Sequence, residues 1–250
     1  MRRKPRIALA QIKYFDLHPS NNLAKIKEYI TKAKKRNADI VCFPETCVIY
    51  EKYLHFDHKY LNEIRAECKK HKIWAIITED FKVKSKLYNT SVLIDRDGKV
   101  KGTYYKINIY AERGTSPGKD IRVFNTDFGK VGLSICWDLA FPELFHAMKK
   151  KGAEIVFCPS QWAYEKKAYY KGHKKKELKL LKALIRARSF ENLNFVAFCS
   201  PYLSEKDMVC YSAVACPHKI IKEIYNKEGL IVAELDMKEV KKLKKIYPGK

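Results

Sequence analysis

The sequence has no apolar run near the ~20 residues that a membrane span needs; its longer ones, such as 73–77 and 153–159, are far shorter. It opens MRRKPRIALAQIKYF, basic but without the following apolar stretch of a secretory signal, so a cytoplasmic location is expected. It has eight cysteines, Cys42, Cys47, Cys68, Cys136, Cys158, Cys199, Cys210 and Cys216, but no CxxC pair. Without a signal peptide these are expected to be reduced thiols, most of them small buried hydrophobes. Cys210, Cys216 and His218 lack a fourth ligand at a familiar spacing, so no metal or other cofactor is expected. Glycine and proline are sparse, 10 and 9 in 250 residues, and no Pro/Gly/Ser-rich linker interrupts the chain. One domain over residues 1–250 is the expectation.

Arginine is scarce as well. Ten of the 51 basic residues are Arg, the side chain suited to bidentate phosphate contacts. The formal net charge of +23 therefore reads as a lysine-coated surface, with KAKKR at 32–36 and a second concentration over 166–182. Nucleic acid or an acidic partner docking on 166–182 is the rival reading, and steep salt dependence of binding is its signature. At long range such a surface favours anionic ligands and disfavours cationic ones. The 46% hydrophobic and 12% aromatic content excludes a disordered chain.

Strand and helix patterns alternate along the chain. Period-two or continuous apolar runs predict strands at 7–12, 38–43, 73–80, 88–95, 121–126, 131–136, 153–158, 195–200, 209–216, 219–225 and 230–235. Helical spacing covers a segment capped by Ser20 or Asn21, then about 60–71, 141–151 and 174–192. The turn DRDG at 95–98 marks a hairpin. NADIVCFPE (37–45) and GAEIVFCPS (152–160) echo each other, which suggests two related α/β halves. Ligands of α/β sheets gather beyond the carboxyl ends of the strands. Glu45, Cys136 and the Ser160-Gln161-Trp162 segment lie at such ends.

Cys136 sits at a strand-to-helix turn, where a sulfur can face a cleft and where backbone N–H groups and cations favour the thiolate. A thiol hydrolase also needs a base and an oxyanion stabiliser. None of the seven histidines has a suitable setting, which turns attention to carboxylates. Glu45 follows the proline that ends an apolar strand, and Lys106 interrupts another apolar background. Charges in such places have a functional or a pairing reason. The plain alternative is a buried salt bridge between strand ends.

These residues resemble the nitrilase superfamily, the carbon-nitrogen hydrolases. FPE at 43–45, YYKINIY at 104–110 and GLSICWDLAFPE at 132–143 match its glutamate, lysine and cysteine motifs in order. YNTSVLIDRDGKVKGTYYK, GAEIVFCPSQW and RARSFENLNFVAF extend the likeness to the flanks. The resemblance implies a four-layer αββα sandwich that pairs into a homodimer or larger assembly. It implies that Cys136 is the nucleophile, forming a thioester or thioimidate, and that Glu45 moves the protons. Lys106 and the Trp137 N–H would hold the oxyanion, and Glu112 would position lysine and substrate. Asp138 and Glu143 would cap the next helix or hold the nucleophile loop.

For the substrate pocket, Tyr50, Tyr110, Trp162 and Tyr164 are candidate aromatic walls, with Gln161 beside them. Many relatives acting on ω-amides carry an arginine four residues after the cysteine; here that residue is Ala140, which argues against a carboxylate-bearing substrate. Arg113 is a possible substitute. The expected activity is hydrolysis of a small amide with release of ammonia. Hydrolysis of an N-carbamoyl compound and then of a nitrile are the alternatives.

Overall fold

The computed structural model describes residues 4–14, 18–49, 53–110, 114–203 and 207–247. Two six-stranded mixed sheets form its centre. One runs in the order β12-β1-β2-β3-β4-β5, the other β11-β10-β9-β8-β7-β6. The first contains β1 (Arg6–Gln11), β2 (Ile40–Glu45), β3 (Trp74–Val83), β4 (Lys86–Ile94), β5 (Val100–Tyr105) and β12 (Gly229–Glu234). The second contains β6 (Val123–Thr126), β7 (Gly129–Leu133), β8 (Ile155–Pro159), β9 (Phe195–Cys199), β10 (Tyr211–Cys216) and β11 (Lys219–Tyr225).

Strand periodicity decides which side chains fill which layer. Side chains alternate across a sheet: Ile7, Leu9, Ile40, Cys42 and Ile76 join residues of the second sheet in a core between the sheets. Their neighbours Ala8, Ala10, Val41, Phe43 and Ile77 face the other way, onto helices α1 (Pro19–Lys35) and α2 (Lys59–His71). These helices contribute Leu23, Ile26, Ile30, Leu61 and Ile64 to that outer layer. Helices α3 (Pro142–Lys150) and α4 (His173–Asn192) bury Phe145, Met148, Leu181 and Ile185 with the second sheet. The expected αββα sandwich is the observed architecture. Because β1, β2, β8 and β9 are buried on both faces along almost their whole length, they read as near-continuous apolar runs.

Three details differ from the sequence reading. Helix α1 starts at Pro19 with His18 as its N-cap, ahead of Ser20 and Asn21, because proline's fixed φ suits the first helical turn. A fifth helix, α5 (Met237–Ile246), had no counterpart in the reading. It is initiated by the Asp236 carboxylate, which accepts from the N–H groups of Lys238 and Glu239 at 3.0 and 3.2 Å. The long basic helix does begin near 174, and its Lys174, Lys175, Lys176 and Lys179 are exposed as a solvated face. All eight cysteines are free thiols, seven of them buried. Among the described residues, no helix is long and apolar enough to cross a membrane.

Candidate active site

The two echoed segments meet. β2 and β8 lie in opposite sheets, and at their carboxyl ends the Glu45 N–H donates to Ser160 O at 3.4 Å. The Gln161 N–H donates back to Glu45 Oε2 at 2.9 Å. The Gln161 amide also donates to the Tyr14 hydroxyl at 3.1 Å and to Thr46 Oγ1 at 3.2 Å. The Tyr14 hydroxyl in turn donates to Glu45 O. Glu45 is 4% exposed, so its charge needs partners. Its Oε1 receives Lys106 Nζ and Asn89 Nδ2, each at 3.0 Å.

Lys106, 1% exposed, follows the last residue of β5. Its N–H donates to Asn89 O on β4 at 2.9 Å, continuing the ladder, and its carbonyl accepts from the Gly118 N–H at 2.7 Å. Gly118 has to be glycine: a Cβ there would lie 2.2 Å from the Tyr105 carbonyl oxygen. Gly118→Ala is expected to displace Lys106 and to lower both activity and thermal stability, by about 1–3 kcal/mol for the latter. Matched urea titrations and rate assays check it.

Cys136 comes two residues after the Ser134 that bonds β8, with its N–H and hydroxyl on Phe157 O at 2.9 and 3.2 Å. The backbone then turns sharply: Cys136 has φ +46°, in the left-handed region, and starts a short 3₁₀ turn over Cys136–Ala140. A non-glycine residue there stores strain of order 1–3 kcal/mol, which the surroundings must hold. They do so through Asp138. This buried carboxylate accepts from the Ile135 N–H at 2.9 Å, the Asn108 N–H and Nδ2 at 2.9 Å each, and the Tyr104 hydroxyl at 2.7 Å. Burial pushes the Asp138 carboxyl up, and these donors pull it back. Arg188 of α4 clamps the far end of the turn, donating to Leu139 O at 3.0 Å and Ala140 O at 3.1 Å. Asp138 thus binds the cysteine turn to the lysine loop; of the two roles read for it, capping the next helix or holding the nucleophile loop, its bonds serve the second. Glu143 is exposed in the first turn of α3 and does not hold that loop. Asp138→Ala strands four donors, so a loss of roughly 3 kcal/mol or more is expected in denaturant unfolding.

The thiol departs from the simple expectation that a nearby cation favours thiolate. Burial and the Glu45 charge push it up to about 12, while Lys106, Ser160 and the Gln161 N–H pull it down less strongly. It therefore rests as a thiol, a form that becomes a strong nucleophile only when a base takes its proton.

Cys136 lines a cavity of about 410 Å³. Trp137, Gln161 and Trp162 line it too, with Tyr110 at its exposed side. The two tryptophans lie 5.6 Å apart at 43°. Tyr164 is not part of this wall: two residues past Trp162, it turns to His173, 6.1 Å away, and its N–H bonds Asp207 O. Tyr50, Glu112 and Arg113 lie outside the described residues. Asn89, Tyr104, Arg188 and Glu177 were not singled out from sequence. Their signal was present but nonspecific, a polar residue inside or beside an apolar stretch.

The family model described as carbon-nitrogen hydrolase matches residues 6–245. An omega-amidase from Bos taurus is 26% identical over 269 residues, covering 97% of this chain and 92% of that protein. A 2-oxoglutaramate amidase from Bacillus subtilis is 25% identical, covering 92% and 90%. The crystal structure of a Saccharomyces cerevisiae protein, titled a member of branch 10 of the nitrilase superfamily, superposes with a TM-score of 0.86. It shares 25% identity and covers 98% of this chain and 95% of that one.

Proposed function

Because the chain belongs to the carbon-nitrogen hydrolase family, we propose that it hydrolyses a small amide through a Cys136 thioester. The observation that carries this reading is the buried Glu45–Lys106 pair, at 3.0 Å, close enough to Cys136 for both charges to act on its thiol. The Cys136 sulfur attacks the amide carbon as Glu45 takes the thiol proton. The oxyanion that forms is held by the Lys106 ammonium and the Trp137 N–H. The C–N bond then breaks, Glu45 returns the proton to nitrogen, and ammonia leaves a thioester. Water, deprotonated by Glu45, attacks the thioester; the C–S bond breaks, a carboxylic acid departs, and the proton returns to sulfur.

The ion pair is structural support as well, but a bridge alone gives no reason to aim both charges at a thiol on a strained turn. The same machinery would serve an N-carbamoyl substrate, which yields carbon dioxide and an amine in addition to ammonia. Incubation with amides, carbamoyl compounds and nitriles tests the reading. Ammonia release and an acyl adduct on Cys136 by intact mass are expected. Release without involvement of Cys136 would overturn it.

A further inference from the structure

The lining of the Cys136 cavity carries a charge opposite in sign to the molecule. Two ionisable side chains other than the cysteine and tyrosines line it among the described residues, and both are carboxylates: Glu165 and Glu177. Glu177, on the second turn of α4, is 5% exposed. Its Oε1 accepts the Trp162 Nε1–H at 2.8 Å, and the Tyr169 hydroxyl also bonds it. Both donors are neutral. No lysine or arginine forms an ion pair with Glu177 among the described residues, although α4 is lysine-rich. Lys166 and Lys174 pair with Asp207 and Lys182 pairs with Glu223. A carboxylate set in an aromatic wall needs polar partners, and it can accept more hydrogen bonds than these two donors supply.

The aromatic rings supply the second ingredient. Trp137, Trp162 and Tyr169 line the same cavity, and aromatic faces attract cations, most strongly when water is excluded. Nearer the exposed side, Glu165 accepts from the Tyr110 hydroxyl at 3.2 Å. We propose that the substrate carries a protonated amine at the end remote from its amide, seated on Glu177 between Trp162, Trp137 and Tyr169; this rests on Cys136 being the amide-cleaving nucleophile. The surface charge of +23 points the other way at long range, but salt screens it beyond about 8 Å, so contacts inside the cavity decide. A substrate carboxylate would meet two like charges and, at position 140, an alanine. This sets the chain apart from what the names of its omega-amidase and 2-oxoglutaramate amidase relatives would suggest for it.

Three amides of matched length test the proposal: δ-aminovaleramide, hexanamide and glutaramate, assayed for ammonia release. The wild-type protein is expected to show kcat/KM about tenfold or more higher for the amino amide than for the neutral one, with the carboxylated amide lowest. Glu177→Gln keeps an acceptor for the Trp162 indole, and it is expected to cut the amino-to-neutral ratio about tenfold. Equal or better use of hexanamide or glutaramate by wild type overturns the ammonium seat while leaving amide hydrolysis intact. An amino preference that Glu177→Gln does not reduce overturns the assignment to Glu177. Absence of release from all three, with no acyl adduct on Cys136, takes down the amidase reading and this proposal with it.

Discussion

Cys136→Ala is expected to abolish ammonia release, with a fall on the order of 10⁴-fold or more, because in the proposed mechanism its sulfur makes the covalent bond to the substrate carbon. The protein should remain folded, and the acyl adduct seen by intact mass in wild type should vanish. Retained turnover would refute the mechanism. Backbone strain offers a second readout at the same position. With φ at +46°, Cys136→Gly is expected to be at least as stable as Cys136→Ala, since only the glycine relieves the left-handed turn. Paired denaturation curves measure that difference.

Lys106→Ala should be nearly as damaging to rate and worse for stability. Losing one oxyanion donor costs about 10²–10³ in kcat. The change also leaves the Glu45 carboxylate buried opposite an empty cation position, where Asn89 and the Gln161 N–H alone must satisfy it. Breaking a buried pair from one side costs about 3–5 kcal/mol. A drop in rate below twofold would exclude the oxyanion role. Glu45→Gln separates the remaining function of the pair. Since the Glu45 charge raises the thiol, its removal should move the midpoint of the pH profile for Cys136 alkylation downward from about 12, even as turnover is lost for want of a base. An upward shift would show that Lys106, not Glu45, governs the thiol.

The candidate residues were legible because each breaks a local pattern. Glu45 and Lys106 are charges attached to apolar strands, and Cys136 stands where a strand gives way to a helix. The alternation of strand and helix periods marked an α/β chain, and the family resemblance implied the layer order. Helix α5 was overlooked although Met237, Val240, Leu243 and Ile246 keep helical spacing behind the Asp236 cap, with Val240 and Leu243 buried. Tyr164 was misplaced because an aromatic near a pocket residue carries no mark of which way its strand-like segment turns.

By itself the sequence determined the alternation of strands and helices and marked Glu45, Lys106 and Cys136 as candidates, since both follow from local spacing and residue type. The tertiary structure alone decided three further matters. It brought the ends of β2 and β8 together across two sheets, so that Gln161 could bond Glu45. It enclosed the thiol so that burial and the Glu45 charge outweigh Lys106. It also gathered Glu165 and Glu177 into a cavity on a lysine-coated molecule. Each depends on distance and desolvation between residues far apart in the chain, and net charge and motif order contain neither.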